Sequence, residues 1–105
     1  MRVLLNECVP WPMRKALTGH QCTTAQRMGW DAITNGDLIR LAEADFDVFV
    51  TSDQNIRYQQ NLSGRRIAIL ELSTNDLRRI LAVSESVNAA LGTIQPGEYV
   101  RLEVT

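Results

Sequence analysis

The sequence predicts an α/β domain: a mostly parallel central sheet with helices on both faces. Three observations predict it. Short apolar runs alternate along the chain with segments of helical spacing. The first four runs are apolar throughout instead of alternating with polar residues, as strands covered on both faces are. The length, 105 residues and 11.8 kDa, suits a single domain with one modest core.

Each element follows from its own residues. Residues 2–5, with Val3-Leu4-Leu5, read as a buried first strand. Pro10 and Pro12 end it, and Pro12 suits the first turn of a helix running to about Leu17 and closed by Gly19. Residues 21–25, with Cys22, Thr23 and Thr24, form a second short strand. Residues 29–36 read as a loop whose strongest turn signal is Asn35-Gly36. Leu38, Leu41 and Ala42 recur at helical spacing, so residues 37–44 form a helix. Val48-Phe49-Val50-Thr51 is a third strand. The amide-rich stretch 52–64 reads as irregular, with room for one helical turn, and residues 67–70 make a fourth strand. Ser73, with Asp76 three residues on, reads as the N-cap of a helix to about Leu91. Its apolar stripe is Leu77, Ile80, Leu81, Val87 and Leu91. After the Pro96-Gly97 turn, Val100, Leu102 and Val104 alternate along residues 99–104 as an edge strand.

Charge and composition exclude several classes. Lys plus Arg number 11 and Asp plus Glu 12, a net charge of −1. That argues against the strongly basic footprint of a bulk nucleic-acid binder, but not against a nuclease, whose metal pocket is itself acidic. No apolar run approaches the ~20 residues that span a bilayer, so no membrane partner is expected. An acid as early as Glu7 does not suit a signal peptide. Cys8 and Cys22 lack paired CxxC spacing, so reduced thiols in a cytoplasmic protein are the expectation.

In an open parallel sheet, ligands bind beyond the carboxyl ends of the strands. That rule selects residues. Asn6 and Glu7 follow the first strand, Asp53 follows the third, and Asp37 lies in the first turn of the helix after the second. Topology alone therefore brings Glu7, Asp37 and Asp53 to one edge, with Asn6 as a neutral oxygen donor. Oxygen donors of this kind suit Mg²⁺ or Mn²⁺, which activate water and neutralise a phosphodiester. Each acid also has a plainer reading: Asp37 as a complement to the helix dipole, Asp53 as an Asx-turn, Glu7 as a solvated loop residue.

Several motifs carry a resemblance. Asp37-Leu-Ile-Arg-Leu-Ala42 followed by Val48-Phe-Val-Thr51-Ser-Asp53 resembles the second half of a PIN domain, where an aspartate opens a helix and a strand follows that ends T-x-D. Leu4-Leu5-Asn6-Glu7-Cys8-Val9-Pro10 looks like the L-L-D-E-x-x-P opening of short PIN-like proteins. Gly19-His20, Gly29-Trp30, Asn35-Gly36-Asp37 and Gln59-Gln60-Asn61 look like one branch of that family. The resemblance spans about residues 2 to 72. It implies a metal-dependent endoribonuclease, often the toxin of a prokaryotic toxin–antitoxin pair, with Asn6, Glu7, Asp37 and Asp53 holding Mg²⁺ or Mn²⁺ and RNA as substrate. It also implies pairing, as a homodimer or with an antitoxin. Position 6 is Asn where the family pattern has Asp. Losing that charge weakens a metal site, so a catalytically degenerate, RNA-binding PIN-like module is the alternative.

Arg57, Arg65 and Arg66 flank the polar stretch after Asp53 and are candidates for RNA phosphates, with Tyr58 for base stacking; a solvated loop is the plainer alternative. His20, the only histidine, reads as structural, and Cys8, His20 and Cys22 fit no zinc spacing. Trp11 and Trp30 read as core residues or interface anchors.

Overall fold

The continuous apolar runs become one sheet. The computed structural model describes residues 1–30, 33–54 and 65–104. β1 (Arg2–Leu5), β2 (Gln21–Thr24), β3 (Val48–Thr51), β4 (Ala68–Leu72) and β5 (Tyr99–Leu102) lie in the order β2-β1-β3-β4-β5. Every pairing is parallel. A 3-10 helix (Trp11–Ala16) connects β1 to β2, and α1 (Asn35–Ala42) connects β2 to β3. α2 (Leu77–Ala82) and α3 (Ser84–Thr93) connect β4 to β5.

Helices cover both faces, as the sequence predicts. Val3, Leu5, Val48, Val50, Leu70 and Leu72 point to one face and pack with Met13, Leu17, Ile80, Val87 and Leu91. Leu4, Phe49 and Ile69 point to the other and pack with Leu38, Ile39, Ala42 and Phe46. Side chains alternate along a strand, so a run buried on both faces is apolar except where a polar side chain finds a partner, as Thr51 and Glu71 do. That is why these strands show no polar alternation. Gly97 completes the turn before β5 with a φ of +79°, and a Cβ there would meet the Arg65 carbonyl oxygen at 2.6 Å.

The element limits differ from the sequence reading where long-range hydrogen bonds override local signals. The helix expected from Ser73 starts at Leu77, with Asp76 as the N-cap accepting from the Arg79 N–H at 3.2 Å. Ser73 is occupied elsewhere: its hydroxyl accepts from the Val104 N–H at 2.7 Å, and its own N–H donates to the Leu102 carbonyl. The single helix expected to Leu91 breaks at Val83 (φ −114°, ψ 32°); Ile80, Val87 and Leu91 of the expected stripe are buried, and Leu81 is exposed. α1 begins at Asn35, inside the expected loop, because Leu38 N–H already bonds the Thr34 carbonyl at 2.8 Å. The stretch 55–64 lies outside the described residues, and with it Arg57, Tyr58 and Gln59-Gln60-Asn61.

β4 runs two residues beyond its expected end because Glu71 is buried and partnered. It is fully enclosed on the α1 face, accepts from the Tyr99 hydroxyl, and takes the Arg101 guanidinium at 2.8 Å. A carboxylate left in the interior without its cation is costly. Arg101→Ala should therefore lower stability by about 2 kcal/mol in urea denaturation, less at high salt because Arg101 is partly exposed. A change within about 0.5 kcal/mol, the range of ordinary surface substitutions, contradicts this assignment.

Candidate functional site at the carboxyl edge

The strand order 2-1-3-4-5 has its switch point between β1 and β3: the chain leaves β1 toward β2 and returns on the other side of β1 as β3. A crevice beyond the carboxyl ends is built at such a point. Asn6 and Glu7 follow β1 there, and Ser52 and Asp53 follow β3.

Thr51 organises this edge. It is fully buried, and its hydroxyl oxygen accepts from Asn6 Nδ2 at 2.9 Å and from the Asp53 N–H at 3.0 Å. Cys8 Sγ approaches the same hydroxyl at 3.4 Å and accepts from the Ser52 N–H at 3.4 Å. The Asn6 N–H donates to the Val50 carbonyl, extending the ladder by one residue. A polar row thus crosses the sheet just inside the edge, with Asn6 beside Thr51, Thr51 opposite Glu71 and Glu71 opposite Arg101.

The expected site residues stand as follows. Asn6 is buried, Glu7 is exposed and Asp53 is half-buried at the crevice. α1 starts at the same edge, since its carboxyl end leads to Asp47, whose N–H bonds the Arg2 carbonyl at the opposite edge. Asp37 is exposed in its first turn; it pairs with Arg40 at 2.7 Å and accepts from the Thr34 hydroxyl at 3.4 Å. Among the described residues no group of three His, Cys, Asp or Glu side chains stands close enough to hold a metal ion. Sharing an edge is not the same as sharing a ligand sphere.

Arg65 and Arg66 do not join the edge, which corrects the expected phosphate-binding set. They precede β4 and so lie at the amino edge, about 15 Å away along the strands. There Arg65 pairs with Glu43 at 3.5 Å and Arg66 donates to the Glu43 carbonyl at 3.3 Å. A cavity of about 530 Å³ opens at that amino edge, lined by Glu43, Asp45, Phe46, Asp47 and Arg66 among others. The buried partners Thr51 and Glu71 were not singled out from sequence, although a glutamate inside the run Ile67–Leu72 is a visible signal of a buried pair.

Cys22, half-buried on β2, has its thiol pushed up by burial, with the N-terminal amino group and Arg14 acting in the opposite sense. The chain matches no protein-family model, no curated protein and no solved structure.

Thr51→Val keeps the shape of the side chain but leaves the Asn6 amide and the Asp53 N–H without their acceptor. The expected loss is about 1–3 kcal/mol in urea denaturation, largely recovered by Thr51→Ser. Equal stability of the Val and Ser variants would contradict the role given to the hydroxyl.

Proposed function

We propose that the chain is a PIN-like phosphodiester hydrolase acting on RNA with Mg²⁺ or Mn²⁺ at the carboxyl edge. The observation that carries this reading is the β1/β3 switch point, with Asn6, Glu7 and Asp53 around it and Asp37 opening the helix above the same edge. The donor chemistry fits a hard cation. Mg²⁺ takes one or two carboxylates and completes its shell with water and substrate phosphate, so three converged acids are not required. Asn6 gives its side-chain N–H to Thr51, and its side-chain Oδ1 receives no hydrogen bond among the described residues, while its backbone carbonyl accepts from the Val9 N–H. The Asp37–Arg40 pair is solvent-exposed, and such pairs hold by only about 0.3–0.5 kcal/mol, so Asp37 is readily released.

When bound, the cation supplies charge neutralisation at the phosphodiester and acidifies water. The chain's own residues do the rest. Glu7 and Asp53 hold negative charge at the crevice, Thr51 fixes the spacing of the β1 and β3 exits, and Asn6 donates an oxygen without charge. A second reading, a PIN-like RNA-binding module without catalysis, is favoured by one observation: position 6 is a neutral amide committed to a structural hydrogen bond. In either reading β5, an edge strand among the described residues, is the strand on which a second copy or an antitoxin would pair. Sedimentation that gives a fixed 11.8 kDa species at rising concentration removes self-association.

Mn²⁺ should raise the melting temperature, and Asp53→Asn should abolish the rise. Asn6→Asp should tighten Mn²⁺ binding and raise metal-dependent RNA cleavage, while lowering stability in metal-free buffer by placing a like charge beside Glu7. Equal Mn²⁺ shifts in wild type and Asp53→Asn place the cation elsewhere. Metal binding at this edge with no cleavage in wild type or Asn6→Asp selects the second reading.

A further inference from the structure

Trp11 carries two guanidinium groups. It opens the 3-10 helix, where three residues make a turn and positions i and i+3 eclipse. Arg14 accordingly lies over the indole, 4.5 Å from the ring centroid. Arg27 reaches the same ring, also at 4.5 Å, from the turn that follows β2. That turn is pinned to the carboxyl edge: the Arg27 N–H donates to Thr24 Oγ1 at 3.1 Å, and the Ala25 N–H to the Leu5 carbonyl at 3.2 Å. The stack therefore stands beside the exit of β1, on the edge that carries Asn6 and Glu7.

Two cations on one ring repel each other, and an exposed cation–π contact offsets that repulsion only weakly. In a chain whose acids outnumber its bases, partners are plentiful. Yet among the described residues neither guanidinium has a carboxylate within 4.0 Å, and Arg14 makes only one long bond, to the Trp11 carbonyl at 3.4 Å. A stacked guanidinium uses its face and leaves its N–H edge to solvent, in the fork geometry that suits phosphate. Arg27 is exposed, so its outer face also offers a plane on which an unstacked base packs, a mode typical of single-stranded RNA.

We propose that Arg14 and Arg27, held flat on Trp11, bind backbone phosphates of single-stranded RNA and lead the strand to the carboxyl edge. The choice of RNA rests on the proposed function; the phosphate chemistry rests on the stack.

The test uses a short single-stranded RNA of mixed sequence, with binding followed in EDTA by anisotropy and by indole fluorescence. RNA should change the indole emission of wild type and not that of Trp11→Phe. The double variant Arg14→Gln/Arg27→Gln should bind about tenfold or more weakly at low salt, and the slope of log K against log salt should fall by about 0.7 per arginine removed. Arg14→Lys/Arg27→Lys, which keeps charge but not the planar fork, should recover only part of the affinity. If the double variant does not fold, Arg27→Gln alone, in an exposed turn, carries the same test. Wild-type affinity and slope in the Gln variants overturn the proposal, and so does poly-glutamate binding as tightly as RNA, which would indicate an acidic protein partner. With Mn²⁺ in place of EDTA, wild-type protein that binds RNA through these arginines without cleaving it overturns the hydrolase reading and leaves the phosphate site standing.

Discussion

The hydroxyl of Thr51 ties the exits of β1 and β3 together, and the carboxyl edge takes its shape from that tie. Both strands end at the switch point, where the ladder stops and backbone groups need new partners. Thr51 supplies one acceptor to the Asn6 side chain and to the Asp53 N–H. The two chain segments that carry the candidate ligands are therefore spaced by a single buried atom. A fully enclosed polar side chain of this kind is stable only when its hydrogen bonds are made, which is what makes the local geometry definite.

The same logic extends across the sheet. One row further in, Leu4, Phe49, Ile69 and Tyr99 lie side by side and close the core beneath α1. The outer row, Asn6, Thr51, Glu71 and Arg101, is polar but internally partnered. An apolar floor beneath the buried Asn6, Thr51 and Glu71 holds these three groups in low dielectric, where electrostatic contacts are stronger than in water. The Trp11 stack places Arg14 and Arg27 on the edge that carries Glu7, Asp37 and Asp53, and under the proposal it is there that a polyanion docks beside acids that would repel it.

Much of this was legible in the sequence. β1 and β3 follow their apolar runs residue for residue, and strand ends alone then place Asn6, Glu7 and Asp53. The start of α1 places Asp37 by topology. What was not legible depends on groups distant in sequence. Ser73 carries a local capping signal, but its hydroxyl is engaged by Val104, 31 residues on. Glu71 looks misplaced in an apolar strand until Arg101, 30 residues on, is brought beside it. Arg65 and Arg66 are near Asp53 in sequence yet at the opposite edge, because a chain leaving one parallel strand must cross the sheet before entering the next. Arg14 over Trp11 follows from three-residue spacing once the helix is 3-10, whereas Arg27 joins only through the fold.

The proposed function places metal and RNA at the carboxyl edge and not at the amino edge, where Glu43, Asp45 and Asp47 line a cavity of about 530 Å³. Paramagnetic broadening by Mn²⁺ of the backbone amide signals of isotope-labelled protein separates the two directly. Asn6, Glu7 and Asp53 should broaden first, followed by Asp37. Broadening centred on residues 43–47, with the carboxyl edge unaffected, would contradict it.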